Sequence, residues 1–168
     1  MTKGLVRLAP RLTSYPVELD WVLTRAFGPV ETASTQPRSA PTLELGRRLG
    51  VNGRLGARVP HDALERELGR DPARVIAFER LRLLAENREL AEVVRLVGEV
   101  ALPLGIRPLW LKFAALTARG FVQTGMREAR DVDLLLPEAE GNQLFQALLR
   151  HDFKAVGQPS TPHQLPAL

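Results

Sequence analysis

The feature that most constrains this chain is a long stretch of apolar side chains at helical spacing. Val75, Ile76, Phe78, Leu81, Leu83 and Leu84 recur over residues 73–85, and Leu90, Val93, Val94, Val97, Val100 and Ala101 over residues 89–104. Spacing of this kind commits both segments to amphipathic helices whose apolar faces need a buried partner. Two helices separated near Asn87, or one long bent helix, satisfy the pattern, and Pro103 with Gly105 closes it.

Upstream, Ser14 followed by Tyr15 and Pro16 predicts a capped helix start with Glu18 and Asp20 in the early turns, ending near Phe27 and Gly28. Residues 28–42 (GPVETASTQPRSAPT) have the composition of a linker, and residues 43–49 that of a short helix. The glycines of GVNGRLG (50–56) invite a phosphate-loop reading. The preceding strand and the terminal Lys-Ser/Thr that such loops need are missing, so a turn is expected. Asp62 and the Asp71-Pro72 pair mark two further helix starts, and His61 beside Asp62 has no second pair to make a metal dyad.

Beyond residue 105 the pattern changes. Residues 107–112 read as a short buried strand, 113–119 as a helix, 120–130 as a loop and 131–136 as a second strand closed by Pro137. Residues 138–150 then read as a helix with Leu144, Phe145, Leu148 and Leu149 inward, and 153–156 as a third strand. The expected class is α+β, a helical N-terminal half followed by a small mixed-sheet core. The expected divisions are 1–42 (helix and linker), 43–104 (helical) and 105–168 (core).

With 168 residues, 45% of them hydrophobic, the chain can bury one core with a small appendage. The absence of cysteine removes disulfide frameworks, thiol nucleophiles and thiolate zinc sites. No run of about 18 apolar residues occurs, and the N-terminus carries charges and a proline where a signal peptide needs an apolar core. A cytoplasmic protein with no membrane partner is expected. The first 60 residues hold nine Lys/Arg against four Asp/Glu, so the basic excess lies there. That charge comes without a recognition motif or an aromatic stacking pattern, which makes it a weak nucleic-acid footprint.

The chemistry centres on Asp131 and Asp133. Residues i and i+2 of a strand share a face, so the two carboxylates should point together. Close carboxylates repel unless a cation sits between them, and oxygen-only ligands select Mg²⁺ or Mn²⁺. Aspartates with this spacing can equally be paired to Arg127, Arg130 or Lys154.

The surroundings add to this. Gly105-Ile106, then Leu111-Lys112-Phe113-Ala114-Ala115-Leu116, then Gly125-Met126-Arg127-Glu128-Ala129-Arg130-Asp131-Val132-Asp133-Leu134-Leu135-Leu136-Pro137 form an ordered series. In this the stretch 87–156 resembles the uncharacterised bacterial nucleotidyltransferases of the DNA polymerase β-like superfamily. The resemblance implies an enzyme that transfers a nucleoside monophosphate from ATP or another nucleoside triphosphate to a hydroxyl of a protein, RNA or small molecule, through two divalent ions. Carried over by position, Asp131 and Asp133 become the catalytic metal ligands, and Lys112 and Arg127 contact the triphosphate. Each of the two cations can instead bridge to the aspartates themselves.

Two departures from the family pattern point toward a catalytically impaired relative or a fragment. Phe113 stands where the family has a glycine, and a phenyl ring there is expected to obstruct the backbone's approach to phosphate. His163-Gln164-Leu165-Pro166 resembles the lead into a further carboxylate-bearing strand, which this sequence does not reach; the core is therefore expected to be incomplete at its C-terminus. Such a relative would serve as a protein-interaction module, with the helix around Trp21 meeting a partner.

Overall fold

A computed structural model describes residues 15–29 and 36–156. The predicted Ser14 cap and the His163-to-Pro166 stretch lie outside them. The chain divides into two units: the first runs through Asn87 and takes back Gln123–Glu128, and the second comprises Arg88–Val122 with the residues from Ala129 onward.

The first unit is helical. Its helix α1 (Pro16–Phe27) has a proline at its start, Glu18 in its first turn and Arg25 in its last, the order the helix dipole favours. Helix α2 (Ser39–Arg48) begins inside the predicted linker, because Thr42 is fully buried and its hydroxyl donates to the Arg38 carbonyl at 2.7 Å. Helices α3 (Asn52–Arg58) and α4 (His61–Leu68) follow. Trp21 and Val22 of α1, Leu45 of α2, Leu55 of α3, Leu64 of α4 and Ile76 meet in one apolar core.

The expected glycine turn is present at Gly50, which has a φ of +66°, and gives way to helix α3 from Asn52 onward. A Cβ on Gly53 would lie 2.4 Å from Leu83 Cδ1 and 2.5 Å from the Gly125 carbonyl oxygen, so this glycine permits close packing of a helix instead of marking a bend. Trp21 lies in the core: it is 2% exposed, and its indole N–H donates to Glu67 Oε2 at 2.8 Å. Several arginines of the basic third are engaged internally. Arg54 donates to the Ala26 carbonyl at 2.6 Å and Arg58 to the Gly28 carbonyl at 2.7 Å, satisfying oxygens that the C-terminal end of α1 leaves open.

Glu18 is buried and accepts from Arg38 Nε at 2.6 Å; this bond, opposed by burial, holds its carboxyl below the usual glutamate value. A folded pKa below the unfolded one gives stability that is present above the unfolded value, about 4.3, and is lost as pH falls through the folded value. The thermal midpoint of the wild type should therefore fall on acidification below about pH 4.3, and Glu18→Gln should flatten part of that fall. Equal acid slopes in melts of the two proteins would remove Glu18 from the account.

Helix α5 (Arg70–Ala101) settles the open alternative: it is a single helix that passes through Asn87 without a break. Its early residues Ala73 and Ile76 serve the first core, and Val97 and Ala101 serve the second.

The second unit continues from a 3₁₀ turn (Leu102–Leu104) into β1 (Leu109–Trp110), α6 (Lys112–Ala118), β2 (Leu134–Leu135) and α7 (Glu138–Leu149). The strands pair antiparallel, Leu109 opposite Leu135 and Trp110 opposite Leu134. Trp110 and Leu134 pack toward Val97, Ile106, Leu144 and Leu148, while Leu109 and Leu135 are exposed. The class is α+β, with a two-stranded antiparallel sheet among the described residues in place of the mixed sheet expected.

Both strands are shorter than predicted. Pro108 has no N–H for the ladder and Lys112 already opens a helix, so β1 offers β2 little to pair with. Asp131 and Asp133 therefore precede a strand and do not lie on it. Of the third strand expected over residues 153–156, Val156 alone makes a β-bridge and no strand element forms; Phe153 packs against the second core. Among the described residues no helix is long and apolar enough to cross a membrane.

Candidate functional site

The site is built by extension of the β1–β2 pairing. One residue beyond the Trp110–Leu134 pair, the Leu111 N–H donates to the Asp133 carbonyl at 2.9 Å, which sets the end of β1 beside the approach to β2. Lys112 comes next, with a φ of +47°, a left-handed conformation uncommon outside glycine. This turn takes the chain from β1 into α6.

Three charged groups meet there. Lys112 Nζ lies 2.9 Å from Asp133 Oδ2 and 3.6 Å from Asp131 Oδ2. The Lys112 and Asp131 side chains are well exposed, whereas the Asp133 side chain is 30% exposed. Asp133 Oδ2 is itself enclosed, with the Lys112 ammonium as the cation beside it. The Asp133 carboxylate first, and Asp131 beside it, hold the Lys112 ammonium above the usual lysine value. Ion pairs this exposed stabilise a fold little, so the grouping matters for charge more than for stability.

Of the residues that the sequence nominated, the structure brings Lys112, Asp131 and Asp133 together. The two aspartates converge without a strand beneath them, and the base rationale for the pair, a shared strand face, gives way to a shared ammonium. Arg127 belongs to the first unit, where its carbonyl accepts a bond from Asn87. Phe113, expected to obstruct the turn, is 7% exposed; its ring is packed inside the protein, and the left-handed conformation falls on Lys112.

Asn87 is the residue that sequence reading undervalued. It is fully buried, its Oδ1 accepts from the Gly125 N–H at 2.8 Å, and its Nδ2 donates to the Arg127 carbonyl at 3.2 Å. One amide thus holds a loop distant in sequence, with donor and acceptor each matched. An asparagine inside an apolar helical pattern was the available signal, and it reads more readily as a helix break.

Among the described residues no group of three or more His, Asp or Glu side chains gathers as a metal site. The pair still fits Mg²⁺ or Mn²⁺: such ions are commonly bound by one or two carboxylates together with waters and substrate phosphates, and both aspartates already direct an oxygen toward one cation. Comparison with protein-family models, with curated proteins and with solved structures finds no match to this chain.

Proposed function

We propose that Asp131, Asp133 and Lys112 form a nucleoside-triphosphate site of the nucleotidyl-transfer type, served by Mg²⁺ or Mn²⁺, which passes a nucleoside monophosphate to an acceptor hydroxyl. The observation that carries this reading is the convergence of both carboxylates on one ammonium within 3.6 Å. The proposed site rests on these three residues of the second unit.

The divalent ion, when bound, supplies electrophilic stabilisation of the transferring phosphoryl group. Asp131 and Asp133 supply the anionic oxygens that hold it, and the enclosed Asp133 oxygen is the better placed of the two to resist water. Lys112 supplies a compact positive charge on a flexible stem for phosphate oxygens. The Leu111–Asp133 backbone bond keeps the two sides in register while ligands exchange.

The test is equilibrium binding of ATP, GTP, CTP and UTP with and without Mg²⁺. At least one nucleotide should bind in a metal-dependent manner, and Asp131→Asn with Asp133→Asn should weaken that binding by roughly a hundredfold. Metal-dependent binding that survives the double substitution unchanged would sink the proposal.

A second reading, a relative that binds without catalysing transfer, is favoured by the number of acids. With two carboxylates gathered and no third acid or histidine beside them among the described residues, no side chain there is assigned as base for the acceptor hydroxyl. Binding without release of pyrophosphate from labelled nucleotide supports this reading; turnover by the 168-residue chain removes it.

A further inference from the structure

We infer that Lys112 is the resident counter-cation of the Asp131 and Asp133 pair. Its ammonium holds the place that a divalent ion takes, so metal loading and the Lys112 ion pair exclude one another, and the displaced ammonium turns to the triphosphate. This rests on the nucleotide-site reading above and adds to it an order of events.

The argument begins with charge. Two carboxylates that close are costly to keep ionised together without a cation, and the protein provides one from its own chain. Lys112 reaches an oxygen of each aspartate, and its position is set by backbone: the Leu111 N–H bond to Asp133 and the left-handed turn at Lys112 deliver the side chain to this spot. An ammonium and a divalent cation seek the same oxygens, and at Asp133 Oδ2, an enclosed atom, the ammonium already stands at 2.9 Å.

The choice of lysine is informative in a chain with 20 arginines and three lysines. A guanidinium would grip a carboxylate with two parallel bonds and be slow to leave. An ammonium is a point charge on a four-carbon stem, and at 61% exposure it can swing into solvent at small cost. The consequence is linkage. The free protein binds metal weakly because Lys112 must be displaced, whereas nucleotide phosphates offer Lys112 another anion and so strengthen metal binding.

The experiment titrates Mn²⁺ into metal-free wild type, Lys112→Met and Lys154→Met, each with and without ATP. Lys154 is exposed, lies in the same unit and removes the same charge. Expected are roughly fivefold tighter Mn²⁺ binding in Lys112→Met alone, and a smaller strengthening of Mn²⁺ binding by ATP in that variant than in wild type. Zero-length carbodiimide coupling gives an independent reading: metal-free wild type should yield a Lys112–Asp133 cross-link that saturating Mn²⁺ suppresses. Unchanged or weaker Mn²⁺ binding in Lys112→Met, equal tightening in Lys154→Met, or a cross-link that persists at saturating Mn²⁺ each overturns the inference while leaving the metal site standing. Absence of Mn²⁺ binding from all three proteins instead overturns the nucleotide-site reading, and the inference with it.

Discussion

Asn87→Ala is expected to destabilise the first unit by about 3 kcal/mol, with the loop Gln123–Glu128 released first. The wild-type amide is fully buried and makes two bonds, accepting from Gly125 N–H at 2.8 Å and donating to the Arg127 carbonyl at 3.2 Å. Alanine removes both partners and leaves two backbone groups to find others. A backbone donor or acceptor left buried and unsatisfied costs about 1–3 kcal/mol, more than the bond itself contributes, and this is why the effect exceeds that of an ordinary surface change. A lower urea midpoint should be accompanied by faster amide exchange at Gly125. A loss below about 0.5 kcal/mol, the usual scatter of surface substitutions, would show that the loop is held by other means.

The second large effect is expected at Gly53, where alanine should cost about 2 kcal/mol net. In an ordinary helix Gly→Ala stabilises by up to about 1 kcal/mol. Here the new methyl would stand 2.5 Å from the Gly125 carbonyl oxygen and 2.4 Å from Leu83 Cδ1. The leucine tip can rotate away; the carbonyl belongs to the residue whose N–H Asn87 holds, so backbone must shift. Gly98, inside α5, has nothing within 4 Å of an added Cβ, so Gly98→Ala should have the opposite sign and stabilise by about 1 kcal/mol. Parallel chemical denaturation of the two variants decides this, and stabilisation by Gly53→Ala would mean that the close approach is not maintained. Since Gly53 and Asn87 both act on Gly125, their double variant should be less destabilised than the two single losses added together.

These residues also mark how far the primary structure can be read. The helices α1, α5 and α7 were legible because their signals are local: a proline start and early acids for α1, apolar spacing for α5, and Pro137 followed by Glu138 and Glu140 for α7. Local spacing reports which face a helix must bury, and that suffices to place its ends within about three residues. GVNGRLG was legible only in part, for the converse reason. Gly50 does make a turn, with a φ of +66° and open space around it, whereas Gly53 and Gly56 are small because Leu83 and the Gly125 carbonyl press on the first and Ile76 and Arg80 lie against the second.

The candidate site divides in the same way. The sequence on its own nominated Asp131 and Asp133, since carboxylates two apart are recognisable without coordinates, and the resemblance of the surrounding series added Lys112. That the lysine pairs with both aspartates was decided by the antiparallel register of β1 and β2 and the Leu111–Asp133 bond that extends it, contacts between segments more than 20 residues apart. The continuity of α5 through Asn87 was decided likewise, by Gly125 and Arg127 satisfying a polar side chain that no neighbour along the helix serves. Side-chain chemistry and periodicity are properties of the chain itself; the partner that satisfies a charge or a buried amide is chosen only when distant segments pack.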